Sequence, residues 1–513
     1  MSHTWDVIVV GAGNAALCAA IAAREAGATV LVLERAPQEE SGGNSRYTAG
    51  SFCFCYAGAD DIKALVADLT AAELARTDFG SYSPARFYDD MFRMTRYRSD
   101  QELCEQLVTR SFDTMLWMRS KGVRFNPIWG RQAVNVNGRL KFDGELTLEA
   151  WGGGPGLVAS ETSAAARAGV DIRYGIGATD LLFDGTAVRG VRAKSREGIS
   201  EINARAVVLA CGGFEANAEW RARYLGPGWE LAKVRGTRFN MGDGLRMALA
   251  IGAMPTGQWS GSHSVPWDNN APPSGDLSVG DAFQKYSYQF GIMVNAEGRR
   301  FVDEGSDVRL KTYSKLGRII LAQPDQFAWQ VFDKKVLHLL RDDYRIKRVS
   351  KVSGESIEEL ASKLEGVNAA AFLDEVRKFN DSIRRDVPFD HRFKDGRCTQ
   401  ELTIAKSNWA QAIDEPPFEA YQVGCGITFT FGGLAVVPTT AQVLDTAREP
   451  IPGLYAAGEI VGGLFYFGYP GGTGLMAGAV FGRTAGEAAA KASRPLAIGD
   501  DASAWNNAID QTR

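Results

Sequence analysis

Histidine is scarce, at four in 513 residues, and the seven cysteines include no Cys-x-x-Cys pair, their closest approach being Cys53-Phe54-Cys55. An odd, scattered set of this kind argues against structural zinc, an iron–sulfur cluster or a disulfide framework, so no metal site is expected. Long hydrophobic runs are also missing. The most apolar stretch, residues 454–480, is broken by Glu459 and many glycines, and in a bilayer it would leave a charge and irregular backbone unsupported. No excess of either charge exists, with 57 Lys and Arg against 61 Asp and Glu and a net charge of -4, so there is no electrostatic footprint for nucleic acid. The beginning of the chain has no basic segment, extended apolar run or small-residue cleavage site, and a cytoplasmic location is the expectation. Arg93-Met-Thr-Arg96-Tyr-Arg98 could bind anions, but it reads more simply as a solvated helix face. The remainder is an ordinary globular composition, 45% apolar and 23% charged, long enough for two or three domains.

What is present begins at once. Trp5 to Val10 reads as a buried strand, followed by Gly11-Ala12-Gly13-Asn14-Ala15-Ala16 and an Ala-rich helix to about Gly27, which sits where a C-cap glycine belongs. A second strand, Thr29 to Leu33, ends at Glu34. In this G-x-G-x-x-A turn, Gly11 permits the tight bend, Gly13 lets a pyrophosphate approach the backbone, and Ala16 lets helix and strand pack closely. The helix start supplies free N–H groups for phosphate. Glu34, with Arg35 beside it, falls where an acid meets a ribose 2′-hydroxyl and disfavours a 2′-phosphate. The turn alone admits FAD or NAD. Ser41-Gly42-Gly43-Asn44-Ser45 tips the reading to FAD, because a second loop of small residues gives N–H groups and hydroxyls to another part of a large cofactor.

A matching half lies near the other end. Ile451-Pro-Gly-Leu-Tyr-Ala-Ala-Gly458-Glu459 reads as a strand that could present a carboxylate to ribitol hydroxyls. Tyr469-Pro470-Gly471-Gly472-Thr473-Gly474-Leu475 then opens a small-residue helix running to about Ala490, whose positive end would favour a reduced, anionic flavin. Taken alone, this piece also reads as a Gly-rich turn before a packed helix. Between the halves, Ala206 to Phe214 is a buried strand ending in Gly212-Gly213. Strands near Ile172–Tyr174 and Val188–Ala193 lead into it, with Asp184-Gly185 as a hairpin turn between them.

These pieces, in this order, resemble the fumarate reductase and succinate dehydrogenase flavoprotein superfamily over nearly the whole chain, and within it the tricarballylate dehydrogenases. The marks are Gly13-Asn-Ala-Ala-Leu-Cys-Ala-Ala20, Phe283-Gln284-Lys285, and Arg300-Phe-Val-Asp303-Glu-Gly305 followed by Arg309 and Tyr313. Gly426-Ile-Thr428-Phe429-Thr-Phe-Gly-Gly433 completes them. The resemblance implies an α/β fold: a Rossmann-like FAD-binding domain from residues 1–257 and 429–495, an inserted α+β capping (clamp) domain from 258–428, and a C-terminal tail at 496–513. It also implies noncovalent FAD, since the stretch where membrane-bound relatives carry an attachment His reads Asn44-Ser45-Arg46-Tyr47-Thr48. The implied reaction moves a hydride between flavin and one carbon of a C–C bond while a protein group handles the proton on the neighbouring carbon.

By resemblance Arg309, one residue out of the usual register, is the proton carrier. Free guanidinium hardly deprotonates, and a surface ion pair of Arg309 with Asp303 or Asp307 is the other reading of the same residue. His263 falls where the family places a substrate-carboxylate His, or is a loop residue without a role; His3, His338 and His391 have no motif around them. Thr428-Phe429 stands where fumarate reductases have a paired His, Tyr469 where they have a second substrate-binding Arg, and Gln284-Lys285-Tyr286-Ser287 where they have the Glu and Arg of a proton relay. Lys285, Tyr286 and Tyr313 are the groups left for proton delivery, or else packed residues.

Three functions follow. The first is a dehydrogenase acting beside a carboxylate in a small polycarboxylate, of the tricarballylate to cis-aconitate type, suggested by Lys285, Arg309, Lys311 and Lys315. The second is a ketone-activated, 3-ketosteroid-dehydrogenase-like enzyme, suggested by Tyr469 and the aromatic loop Phe465-Tyr466-Phe467. The third is a flavin-bearing electron-transfer subunit. In each case a separate electron acceptor or partner protein reoxidises the flavin.

Overall fold

The computed structural model describes residues 4–494, so the expected tail at 496–513 and His3 lie outside the described residues. Strand β1 (Trp5–Val10), helix α1 (Asn14–Glu25) and β2 (Val30–Glu34) form the expected βαβ start. Their side chains are apolar on both faces, the pattern of a strand covered on both sides. β1 is the middle of a parallel layer: β2 and then β3 (Asp171–Tyr174) lie on one side, and the second half of β6 (Gly198–Leu209) and β10 (Pro450–Ala456) on the other.

The first half of β6 instead pairs antiparallel with β5 (Val188–Ser195), which pairs with β4 (Gly177–Phe183). The Asp184-Gly185 turn therefore joins β4 to β5. This corrects the reading that paired Ile172–Tyr174 with β5: that segment is the parallel edge strand beside β2. The second strand begins one residue later than Thr29 and includes Glu34.

Helix α3 (Thr473–Ala492) closes the layer by packing along α1. The approach is close because α3 places Gly478, Gly482 and Gly486 one turn apart on the facing side. A Cβ at 482 would stand 2.4 Å from the Ala15 carbonyl oxygen, and one at 486 would stand 2.1 Å from that of Ala19. Asn14 then donates its side-chain N–H to the Leu475 carbonyl at 2.8 Å, tying the starts of the two helices together.

A second sheet is organised by β9 (Phe418–Leu434), which pairs with β7 (Pro255–Asp268) along most of its length and with β8 (Ala328–Phe332). The expected domain boundaries at 257/258 and 428/429 fall inside β7 and β9. Helix α2 (Arg309–Leu321) lies across β7 at Gly317, where a Cβ would stand 2.5 Å from the Val265 nitrogen. Arg309, Tyr313 and Gly317 recur every four residues and so share this face. No helix among the described residues is long and apolar enough to cross a membrane; residues 454–480 are the end of β10, a loop and the start of α3.

Candidate functional site

One elongated cavity runs from the C-terminal end of β2 to the seam between the two sheets, and it is lined from both ends of the chain. At its first end stand Glu34 and Arg35. The buried Glu34 carboxylate accepts the Ala12 and Ala36 N–H groups, both at 2.8 Å, and burial pushes its pKa upward. Arg35 is ion-paired with Asp243. The turn follows. Gly11 sits at φ +107°, with the Ala210 carbonyl oxygen 2.5 Å from where a Cβ would be, so the bend admits only glycine. Gly13, Asn14 and Ala15 line the cavity next, and the first-turn N–H groups of α1 have no intrahelical partner. Opposite them are Gly43, Asn44 and Ser45, whose hydroxyl accepts the Asn14 N–H at 3.1 Å. Gly212, Gly458, Glu459, Gly472, Gly474 and Leu475 line the far part, where α3 begins.

Two helix starts, an acid at one end and a loop of small residues therefore open on one cavity. This donor set fits a dinucleotide flavin: Glu34 for a ribose, residues 11–15 and 43–45 for the pyrophosphate region, Glu459 and the start of α3 for the ribitol and ring.

The other expected cofactor residues shape this cavity from behind its wall. Ala16 is fully buried in the helix contact. Gly42, at φ +102°, leaves room for Val158. A Cβ on Gly213 would stand 2.3 Å from the Glu459 carboxyl, and Thr473 donates its hydroxyl to the Pro470 carbonyl at 2.6 Å.

Glu215, which the sequence reading passed over although it follows the Gly212-Gly213 pair, is fully buried and accepts the side-chain N–H groups of Asn44 (2.6 Å) and Asn240 (2.5 Å). Glu459 neighbours it, and its carboxylate accepts the Thr430 N–H (2.7 Å) and hydroxyl (3.1 Å). Two neighbouring carboxyl groups in a buried site disfavour each other's ionised form. Burial, and then Glu215 itself, raise the Glu459 pKa well above the ordinary range. The folded protein thus keeps a proton on this group to higher pH than the unfolded chain does. Such a group favours the fold at low pH and loses that contribution as pH rises toward its folded pKa. Glu459→Gln, which removes the titration, should flatten the fall in melting temperature as pH rises above the ordinary carboxylate range; an unchanged pH profile counts against the raised pKa of Glu459.

The seam end holds the candidate chemistry. His263 on β7 lies opposite Phe429 on β9. Between His263/Ser264 the register slips past Thr428, so Thr428 and Phe429 both reach the cavity; bulges next to a site commonly re-aim side chains in this way. His263 is buried between the rings of Tyr313 (5.2 Å) and Tyr469 (4.9 Å). Tyr286, its hydroxyl buried without a hydrogen-bond partner among the described residues, packs on Tyr313. Phe429, Phe465 and Tyr469 form an aromatic wall with ring centres 5.0 to 5.9 Å apart. Phe467 lies apart from that wall, under the Arg96 guanidinium.

Arg309 lies in this cavity, over the Tyr286 ring, and makes no ion pair with a described residue. Asp307 faces Lys394, and Asp303 accepts from Ser407 and Gly305. Burial and the neighbouring Arg341 lower the Arg309 pKa to about 10. Arg131 and Arg341, neither singled out by the sequence, also line the cavity, each with one acid of its own, Glu149 and Asp343.

Lys285 is a correction. Its ammonium is buried away from the cavity, donating to the carbonyls of Ala282, Phe283, Gln284 and Asp343 and paired with Asp268 at 3.4 Å. A lysine so fully satisfied is a structural pillar. Of the other cations thought to cluster at this motif, Lys311 pairs with Asp90 at 3.7 Å. Sequence reasoning also missed Arg235, which stands in the Gly-rich run before residues 243–250 with no motif of its own.

A model of the FAD binding domain family matches residues 6–475. A probable fumarate reductase of Shewanella frigidimarina (strain NCIMB 400) is 31% identical over 498 residues, spanning 96% of this chain and 75% of that protein. Among solved structures, the open conformation of a flavocytochrome c3 fumarate reductase superposes with a TM-score of 0.73 at 28% identity, covering 96% of this chain and 79% of that one. A 3-ketosteroid Δ1-dehydrogenase from Sterolibacterium denitrificans shares the fold, with a TM-score of 0.72 and 20% identity over 96% of this chain and all of that one.

Proposed function

From the premise that this chain belongs to the FAD binding domain family, and is an FAD-dependent oxidoreductase of the fumarate reductase type acting on CH–CH groups, we propose that it oxidises or reduces the C–C bond beside a carboxylate in a small polycarboxylate. Bound FAD supplies the two-electron centre that exchanges a hydride with one carbon of that bond. The observation carrying this reading is Arg309: a guanidinium with no counter-ion among the described residues, held in the cavity beside the aromatic wall. A half-buried cation without an ion-pair partner among the described residues favours an anionic ligand, and a guanidinium matches a carboxylate bidentately. In this reading Arg309 also holds the proton for the neighbouring carbon; its lowered pKa brings an otherwise reluctant acid closer to transfer. Arg131 and Arg341 stand in the same cavity, each already paired with an acid, and tricarballylate is the named candidate. Phe429, Phe465 and Tyr469 exclude water around the reacting carbon. We take residues 258–428, which carry His263, Arg309 and Arg341, as the clamp that closes over substrate. A separate acceptor or donor completes each turnover.

A ketone-activated reading is favoured by Tyr469, which stands in the cavity beside His263 and could hold a carbonyl oxygen. Single-turnover bleaching of the flavin across tri-, di- and monocarboxylates and ketosteroids separates the two: reduction by the polycarboxylates is expected, and reduction by ketosteroids alone would overturn the first reading. Attachment is taken as noncovalent, because residues 44–48 offer no His. Acid precipitation should leave FAD in the supernatant; flavin in the pellet would contradict this.

A further inference from the structure

Arg235 follows the short strand 233–234, which pairs parallel with β9, and its own N–H donates to the Ile427 carbonyl at 2.8 Å, so its backbone is fixed. Its guanidinium is fixed as well. Nε and Nη2 donate to the two oxygens of Asp281 at 2.6 and 2.9 Å, and Nη1 donates to the Thr428 hydroxyl at 3.0 Å. The same Nη1 lies 3.3 Å from His263 Nε2. A guanidinium has donors only, so Nε2 must be the acceptor and cannot carry a proton. A neutral imidazole then carries its proton on Nδ1, which is buried without a hydrogen-bond partner among the described residues, while the His263 side chain lines the cavity.

We propose that Arg235 is a positioning residue that, locked by Asp281, holds His263 as the neutral Nδ1–H tautomer, so that this otherwise unused N–H is a fixed donor to an oxygen of the substrate. The groups facing His263 agree. Arg235 approaches from the 233–234 strand, Tyr313 from α2, Tyr469 from the loop before α3 and Thr428 from β9, with Asp281 behind the Arg235 guanidinium. No carboxylate contacts the ring directly among the described residues. Burial and the Arg235 charge both push the imidazole pKa well below its ordinary value, in keeping with a ring that stays neutral. An orphaned donor in a buried site is costly unless something accepts from it, and His263 is one of the residues that line the cavity. The charge of Arg235 is spent on Asp281, which distinguishes it from the unpaired Arg309: it acts on the substrate through the histidine.

The inference rests on the substrate site proposed above, but its first test does not need a substrate. With four histidines in the chain, ¹⁵N-histidine labelling of the holoenzyme gives few ring signals, and the His263 signals are assigned by their loss in His263→Gln. The Nδ1–H pattern is expected, unchanged from about pH 5.5 to 8.5; an Nε2–H pattern, or titration near the ordinary histidine value of about 6.5, overturns the proposal. Arg235→Met combined with Asp281→Asn removes the lock without stranding a buried charge. It should release the tautomer, restore titration of His263, and raise KM for the substrate roughly tenfold or more with a new pH dependence. Arg235→Lys should largely retain the Nδ1–H pattern. A double variant that folds and keeps the wild-type tautomer also overturns the proposal. Failure of every carboxylate in the bleaching panel, with the tautomer as expected, would instead remove the polycarboxylate reading and leave the lock standing.

Discussion

Arg309→Lys should slow reduction of the bound flavin by at least about a hundredfold, with a normal flavin spectrum, because removing a positioned acid–base group costs on the order of 10² to 10⁴ in rate. Lysine keeps the charge but loses the planar fork that fixes a carboxylate and the delocalised guanidinium that holds the proton. Arg309→Ala should be as slow or slower and should also raise the substrate concentration needed, since the cavity then loses a cation that has no acid of its own among the described residues. The competing account, a surface ion pair with Asp303 or Asp307, predicts a loss of no more than about 1 kcal/mol and near-native turnover. The geometry already disfavours it, for both acids are engaged elsewhere. Stopped-flow bleaching with the best substrate of the panel decides, because this step precedes any electron acceptor. Near-native rates in Arg309→Lys would take Arg309 out of the mechanism and move the search to Tyr313 and Tyr286, Lys285 being sequestered with Asp268.

The parts of this site that the sequence makes legible are those whose chemistry is written locally. Gly11, Gly13 and Glu34 belong to one strand–turn–helix–strand unit within about two dozen residues, and the structure brings all three to one cavity, so their spacing alone makes them candidates. Arg309 and His263 become candidates through motifs longer than a few residues. The seam resists the same treatment because its meaning is a sum over distant segments. Arg235 acquires a role only when Asp281, His263 and Thr428 are brought to it by the pairing of β7 and β9. Lys285 fails for the complementary reason: its neighbours in sequence suggest a relay, while Asp268 and four carbonyl oxygens, one of them 58 positions along the chain, absorb its charge. The β4 strand shows the limit for the fold. The Asp184-Gly185 turn is readable, but the partner strand Gly177–Phe183 lacks a clean alternation of buried and exposed residues, and the better-patterned 172–174 segment took its place.

The α1–α3 contact has an equally large consequence, because it joins the two halves of the cofactor cavity. Gly482→Leu should yield protein that is colourless or insoluble, whereas Lys491→Leu, on the exposed side of the same helix, should purify yellow with a melting temperature close to the parent. A side chain at 482 meets the Ala15 carbonyl oxygen at 2.4 Å from its first carbon. Overpacking a deformable core costs typically 1 to 3 kcal/mol because side chains change rotamer. Here the obstacle is helix backbone, which has no rotamer to change, and the neighbouring contact at Gly486 is tighter still. The helices must separate along their whole contact, exposing the fully buried Ala16, Ala19, Ala479 and Ala485 and pulling Asn14 from the Leu475 carbonyl. Against a total stability of about 5 to 15 kcal/mol that loss is decisive, and it reaches the cofactor directly, since both helix starts line the cavity. The ratio of flavin to protein absorbance and the thermal midpoint measure it. A Gly482→Leu protein with normal flavin content would show that α3 can stand off from α1 without opening the cavity.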